Sequence, residues 1–299
     1  VRARPVTGQA KVTRRPFSGW LHVLISAAPG RGREKDKMRS VNSRRAIALA
    51  VAAVLAGAPV AHAFDANGEV TEKSSPFALF KFGFKAYKKG KKNDAVEAYR
   101  YAAEKGHAGA QWKLARMYDT GDGVAEDDYK AFQFYEKIVR QGIDPVSPDG
   151  SYVSSALVSL ARYLKNGISG TPVEANPAAA RDMYAQAAWS FADPQAQFEL
   201  GQMFLSGDGG NRDVKQAFNL FRLSSEKGHA GGMAMFGDLL FQNGKTVRGL
   251  ASLTAALQRS EPQDRAWISA MQEQAFALAG EADRRTAMAL ADEMIRNGQ

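Results

Sequence analysis

Two histidines stand in a sequence context that could support chemistry. His107 and His229 occupy the same position of an identical hexapeptide, Glu-Lys-Gly-His-Ala-Gly, which begins at Glu104 and again at Glu226. Equivalent residues in separate copies of a motif can neither share one metal ion nor form one catalytic pair. We therefore interpret both as position-specific residues of a repeat, although an imidazole can still titrate near neutral pH.

An acidic run at 126–128, with Asp119 and Asp122 nearby, invites comparison with a calcium loop. It lacks the alternating D-x-D-x-D-G spacing of such loops, and carboxylates at the start of a helix explain it. The glycines at 207–210 precede no Lys-Ser/Thr pair, and the chain has neither a cysteine nor a G-x-S-x-G motif. The sequence thus predicts no catalytic residue, no metal and no cofactor. A glycan-acting enzyme, which would need paired carboxylates, is the less favoured alternative.

One stretch combines basic and aromatic side chains. We interpret it as the solvated face of a helix above an ordinary core. The functional alternative is contact with an acidic partner or an anionic glycan. The stretch holds Lys81, Lys85, Lys88, Lys89, Lys91 and Lys92 among Phe80, Phe82, Phe84 and Tyr87.

Helical periodicity dominates the rest of the chain. The apolar residues of 110–118 recur at helical spacing, the glycines of 121–123 stop that helix, and Asp127 or Asp128 can cap a second helix that ends at Gly142. Residues 110–123 match residues 196–209 at seven of fourteen positions. Each helix pair has one uncovered apolar stripe, and a neighbouring copy is what covers it. The predicted fold is therefore all-α, a right-handed α-solenoid of helix pairs.

These residues resemble the SEL-one-like repeat, a longer-looped relative of the tetratricopeptide repeat, over about 77–260. The resemblance implies a fold and a binding role. Ala115 and Phe134 depart from its usual Gly and Trp. The repeat-defining positions are Leu114, Tyr118, Gly121, Gly123, Ala131, Tyr135, Leu200, Gly207 and Gly209.

Cap residues before proline place further helix starts at Ser75-Pro76, Asn176-Pro177, Asp193-Pro194 and Glu261-Pro262. Residues 76–299 should then hold about five helix pairs and, over 262–297, two capping helices with polar outer faces. The insertion at 167–176 has no apolar period. We expect it, with the polar segment 64–75, to be the first site of proteolysis.

The N-terminal region predicts export. Basic residues and a short apolar run over 38–63 end in Ala-His-Ala, which predicts a signal peptide cleaved between Ala63 and Phe64. Residues 1–37 are interpreted as a non-native or disordered extension. Residues 64–299 hold 28 Lys and Arg against 29 Asp and Glu, so the basic balance of the whole chain is no argument for a nucleic-acid partner.

From the leader junction to the terminal helices, over about 38–299, the chain also resembles the family of rhizobial negative regulators of exopolysaccharide production. The resemblance implies a periplasmic protein, not embedded in the membrane. It implies one partner, the periplasmic domain of a sensor histidine kinase that it represses, and periplasmic proteases that remove the inhibitor. A scaffold for envelope or secretion machinery is the alternative.

In tetratricopeptide arrays the first helix of each pair lines the concave face, where partners bind. Residues two before and two after the Leu position point into that groove by the helical period. Trp112 and Phe198 stand out as aromatics that packing does not require, although Trp112 could instead cover the next helix pair. The predicted partner-binding residues are Trp112, Arg116, Arg162, Phe198, Gln202 and Asp238.

Overall fold

The computed structural model describes residues 70–71 and 73–297, and these residues contain twelve α-helices. The extension at 1–37, the signal peptide at 38–63 and its cleavage site at Ala63 and Phe64 lie outside these residues. Consecutive helices pair, and the pairs stack in chain order. The helices are α1 (Pro76–Lys88), α2 (Lys92–Glu104), α3 (Ala108–Thr120), α4 (Asp128–Arg140), α5 (Gly150–Asn166), α6 (Pro177–Ser190), α7 (Pro194–Ser206), α8 (Val214–Glu226), α9 (Ala230–Gln242), α10 (Thr246–Arg259), α11 (Pro262–Leu278) and α12 (Glu281–Arg296).

Side-chain caps begin many of these helices. Ser75, Asp127, Asn176 and Asp193 each accept a hydrogen bond from the backbone N–H three residues later, at 2.9–3.2 Å. Each such cap stabilises its helix by about 1 kcal/mol. The predicted starts are confirmed, including the one at Pro262, although Glu261 makes no side-chain cap there.

The two best-matched units close their loops in the same way. Gly121 and Gly207 end α3 and α7 in the left-handed conformation, with φ of 66° and 86°. The backbone N–H of the next helix's cap residue then donates to the carbonyl of Tyr118 or Phe204, at 2.9 and 2.8 Å. The repeat seen in the sequence is therefore also a repeat of hydrogen bonds.

The cores of the pairs form where small residues allow close approach. A side chain added at Gly201 would lie 2.6 Å from the Phe221 ring, and one at Gly83 would lie 2.8 Å from the Tyr99 ring. The predicted apolar repeat positions lie in these cores. Tyr118 is half-buried and stacks on Phe134, and the fully buried members are Leu114, Ala131, Tyr135 and Leu200.

The array ends in α11 and α12, which pack on α9 and α10. Their outer faces expose charged residues such as Glu273, Arg285 and Asp292, as a capping unit requires. Across the described helices, no segment has both the length and the apolar character needed to cross a membrane.

The loop at 167–176 has no apolar period in the sequence, but it is ordered by hydrogen bonds and packing in the structure. The backbone N–H of Gly167 donates to Tyr163 and that of Asn176 to Leu164, at 2.7 and 2.6 Å. The side chains of Ile168 and Val173 pack against the core. By contrast, Val146, in the connection between α4 and α5, is 91% exposed.

We therefore expect elastase, which cleaves after small aliphatic residues, to make its first internal cut after Val146, because a protease needs an exposed, locally extendable segment. Mass spectrometry of the first fragments measures this. Val146→Asp should slow the cut several-fold. A first cut at Val173, the matched valine of the packed loop, would contradict this expectation.

Candidate functional site

The surface made by the first helices α3, α5, α7, α9 and α11 is here called the first-helix face. Along it, α3 contacts α5, α7 contacts α9, and α9 contacts α11. All six predicted partner-binding residues lie on these helices: Trp112 and Arg116 on α3, Arg162 on α5, Phe198 and Gln202 on α7, and Asp238 on α9. Their surroundings differ from one unit to the next.

Trp112 joins α3 to α5. Its indole N–H donates to the hydroxyl of Ser155 at 2.8 Å, and its ring centroid lies 5.6 Å from that of Tyr152. The guanidinium of Arg116 lies 5.4 Å from the Trp112 ring and is exposed to solvent. Trp112 therefore serves unit-to-unit packing, while Arg116 stays accessible on the first-helix face.

Arg162 makes an ion pair across the same junction. Its partner is Asp119 of α3, which also accepts a hydrogen bond from the hydroxyl of Tyr163. That hydroxyl also lies 3.0 Å from Asp128 at the start of α4. Asp119 and Asp128 thus connect neighbouring units, and Asp127 caps α4 as the sequence predicts.

Phe198 is buried, with 8% of its surface exposed. Its ring lies between His229 and Trp267, at centroid distances of 4.9 and 6.4 Å. The expectation that packing does not require this aromatic is therefore wrong, because it fills the junction of α7, α9 and α11. Gln202, one turn later on α7, is half-buried.

The two histidines are the N-caps of α3 and α9. The Nδ1 atoms of His107 and His229 accept backbone N–H bonds from Ala110 and Gly232, at 3.3 and 3.0 Å. This leaves the proton of the neutral ring on Nε2, and in His229 that atom lies 2.8 Å from the Gln195 side-chain oxygen.

The ring of each cap histidine also contacts an aromatic residue of the preceding unit: His107 stacks on Phe80, and His229 lies tilted against Phe198. Burial lowers the pKa of both imidazoles. Their interpretation as position-specific repeat residues is confirmed.

An open groove of about 400 Å³ lies between α9 and α11. Apolar side chains form much of its wall, and the carboxylate of Asp238 is its charged group. The repeat pattern predicts Asp238 but not the α11 side of the groove, because the pattern was followed through the second to the fifth unit and not into the capping helices. The lining residues are Asp238, Phe241, Gln242, Trp267, Ala270, Met271, Gln274, Ala275 and Leu278.

Asp238 is half-buried and accepts a hydrogen bond from the Gln242 side-chain amide at 2.6 Å. Burial raises the pKa of its carboxyl group, and that hydrogen bond partly offsets the rise. Within the described part of the chain no Lys, Arg or His forms an ion pair with it. The groove therefore offers apolar contact together with an unneutralised negative charge.

Comparison with known proteins agrees with this architecture. The family model described as Sel1 repeat, the SEL-one-like repeat, matches residues 108–143, 154–188 and 194–229. Two solved structures have the same fold. One is a protective antigen of uropathogenic Escherichia coli strains with an SLR fold (TM-score 0.60, 23% identity, 75% of this chain and 46% of that chain). The other is a Sel1 repeat protein from Oxalobacter formigenes (TM-score 0.54, 19% identity, 75% and 89%).

Two curated relatives are much more similar in sequence. Both are described as exopolysaccharide production negative regulators. The protein from Rhizobium leguminosarum bv. viciae is 53% identical over 244 residues, which cover 82% of this chain and 91% of the relative. The protein from Rhizobium meliloti (strain 1021) is 53% identical over 248 residues, covering 83% and 92%.

Alanine substitutions of Trp112 and Arg116 should differ in their effect on stability, because Trp112 packs between units and Arg116 is exposed. Trp112→Ala removes a half-buried ring and its hydrogen bond, so we expect it to lower the free energy of unfolding by about 2 kcal/mol. Arg116→Ala, an exposed change one turn away, should stay within about 0.5 kcal/mol. Urea denaturation of both variants measures this. Equal stability of the two variants would show that Trp112 does not join α3 to α5.

The cap histidines should make stability depend on pH. Because burial lowers their pKa below the unfolded value of about 6.5, their contribution is fully present above pH 6.5 and is lost as pH falls toward the folded pKa. The double variant His107→Asn and His229→Asn keeps a capping side chain that does not titrate. Its free energy of unfolding should fall less than that of the wild type between pH 7.5 and 5.5.

The carboxyl groups of Glu199 and Asp238 change the free energy of unfolding with pH in the opposite direction to the histidines. Burial raises the pKa of each, so their contribution to stability grows as pH falls. They are present in both proteins, and the difference between the two denaturation series isolates the histidines. Parallel pH profiles would contradict the capping argument.

Proposed function

We propose that the protein acts as a non-enzymatic periplasmic inhibitor. The premise is that the chain belongs to the Sel1-repeat family of exopolysaccharide production negative regulators. In this proposal it binds the periplasmic domain of a membrane sensor histidine kinase and holds the kinase off. Exopolysaccharide production falls as a result. The predicted export signal and the repeat fold, which builds extended binding surfaces, support the proposal.

The observation that carries it is the groove between α9 and α11. The half-buried Asp238 carboxylate has no cationic partner among the described residues, and it has exchanged hydration for one amide hydrogen bond. A Lys or Arg from a partner would restore its charge balance, and the surrounding Trp267 and Phe241 would exclude water. We therefore assign to the kinase domain an apolar segment that carries one basic side chain.

The use of the polar residues supports a non-enzymatic role. Asp119, Asp122 and Asp127 are engaged in ion pairs and a helix cap, and both cap histidines use Nδ1 for backbone hydrogen bonds. These groups stabilise helices and junctions. In their place in the fold they are not free to serve as paired general acids and bases.

Relief of repression fits removal of the inhibitor by periplasmic proteases. The exposed connection between α4 and α5 is the segment of the described chain best placed for a first cut, since Val146 is almost fully exposed. A cut there divides the second unit from the third. In a stacked array, each unit depends on its neighbours, so one cut would destabilise both fragments.

Isothermal titration with the purified periplasmic kinase domain tests both parts of the proposal. We expect a complex in the micromolar range or tighter for the wild type. Asp238→Asn, which keeps the shape but removes the charge, should weaken it by about tenfold or more, because charge-assisted bonds contribute about 1.5–3 kcal/mol. The melting temperature should not fall, because burial already disfavours the ionised form.

The matched control is Asp182→Asn, an exposed carboxylate on the second helix α6; it should bind as the wild type does. Absence of any micromolar complex with the wild type would overturn the kinase proposal. A complex that tolerates Asp238→Asn, or that Asp182→Asn weakens equally, would overturn the groove assignment alone.

A further inference from the structure

The outward side of α1 carries an unbalanced combination of aromatic and basic residues. Leu79, Gly83 and Ala86 are the buried residues of this helix. On the opposite side, five exposed residues fall within a sector of about 100°. This α1 stripe consists of Phe77, Lys81, Phe84, Lys85 and Lys88.

The two rings of the α1 stripe are unusually accessible for phenylalanine. Phe77 is 66% exposed and Phe84 is 39% exposed. They lie almost in line, seven residues or about two turns apart. The ammonium group of Lys88 lies 4.7 Å from the centroid of the Phe84 ring. By contrast, Phe80 and Phe82 of the same helix pack against the core, so the exposure belongs to the stripe alone.

The positive charge of the α1 stripe has no ion-pair partner within the described part of the chain. The helix itself contains no acidic residue, and among residues 70–71 and 73–297 no carboxylate forms an ion pair with Lys81, Lys85 or Lys88. Lys89 and Lys91 extend the positive patch into the following turn. Since residues 64–299 are close to charge balance, this patch is a local concentration and not a reflection of a basic protein.

We propose that the α1 stripe is a docking surface for an anionic lipid bilayer. Its aromatic rings enter the headgroup layer while the flexible lysine side chains reach the lipid phosphates. Its composition favours a bilayer over an acidic protein. Cores of protein interfaces are depleted in lysine and use Arg, Trp and Tyr as anchors, none of which occurs in the stripe. A convex helix surface also has no pocket to receive a partner's side chain.

The proposal does not depend on the kinase, and vesicle cosedimentation tests it directly. The protein is recovered from an export-competent host and its mass is measured, because an attached leader would bind vesicles by itself. We expect it to partition onto phosphatidylglycerol vesicles at low salt. It should remain in solution with phosphatidylcholine vesicles, and it should leave the anionic vesicles at about 0.5 M salt as screening increases.

Two variants examine the α1 stripe. The triple change Lys81→Gln, Lys85→Gln and Lys88→Gln should lower the partition coefficient by about tenfold or more, because each lysine near an anionic surface contributes to binding. The double change Phe77→Ser and Phe84→Ser should lower it several-fold while the charge stays constant. Since all five side chains are exposed, both variants should keep the helical circular dichroism of the wild type.

The charge-matched control is Lys105→Gln, Lys215→Gln and Lys227→Gln, three exposed lysines elsewhere in the array; it should bind within about twofold of the wild type. No binding to anionic vesicles, an equal loss in the control, or full binding by the stripe variants would overturn the proposal. It would also be overturned if the wild type ignored vesicles while the stripe triple lost affinity for the kinase domain, because the stripe would then bind a protein.

Discussion

A helix pair of this chain cannot cover its own apolar faces, and the whole array depends on the contact between one unit and the next. The first helices of the pairs supply a recurring part of that contact. The aromatic residue that precedes the Leu position by two packs onto the following unit, as Phe80 does on His107 and Phe198 on His229. In the third unit no histidine cap is present, and Trp112 instead meets Tyr152 and Ser155. The residues that meet between units therefore differ from one junction to the next, while the position of the packing aromatic residue in the first helix stays the same.

The sequence predicted the helices well because their boundaries depend on local chemistry. Caps such as Asp193 and left-handed glycines such as Gly207 act within a few residues, so each can be recognised without a fold. The repeat then gave the pairing of helices. Burial on the first-helix face was harder to predict. The period of one helix places Phe198 toward the groove, but Trp267 of α11, about seventy residues later, covers it.

The groove between α9 and α11 could not be predicted from the sequence either, because its two walls are also distant from each other along the chain. One wall belongs to a degenerate repeat and the other to a capping helix, and no periodicity connects Asp238 with Met271 or Leu278. The packing of the loop at 167–176 could not be predicted from its sequence either, because its composition is that of a mobile insertion. Two backbone hydrogen bonds and the packing of Ile168 and Val173 determine its order. These are tertiary effects, which a local pattern does not record.

The ends of a stacked array differ physically from its middle, and this bears on where the protein can bind. Inside the array, polar groups such as Asp119 and Arg162 form ion pairs that join neighbouring units. Among the described residues, α1 is the first helix of the array, and it carries lysines with exposed phenylalanines. At the last units the spacing of α9 and α11 leaves an apolar groove with one carboxylate. The two ends of the array therefore present opposite charges, and the repeat architecture places two chemically different surfaces on one chain.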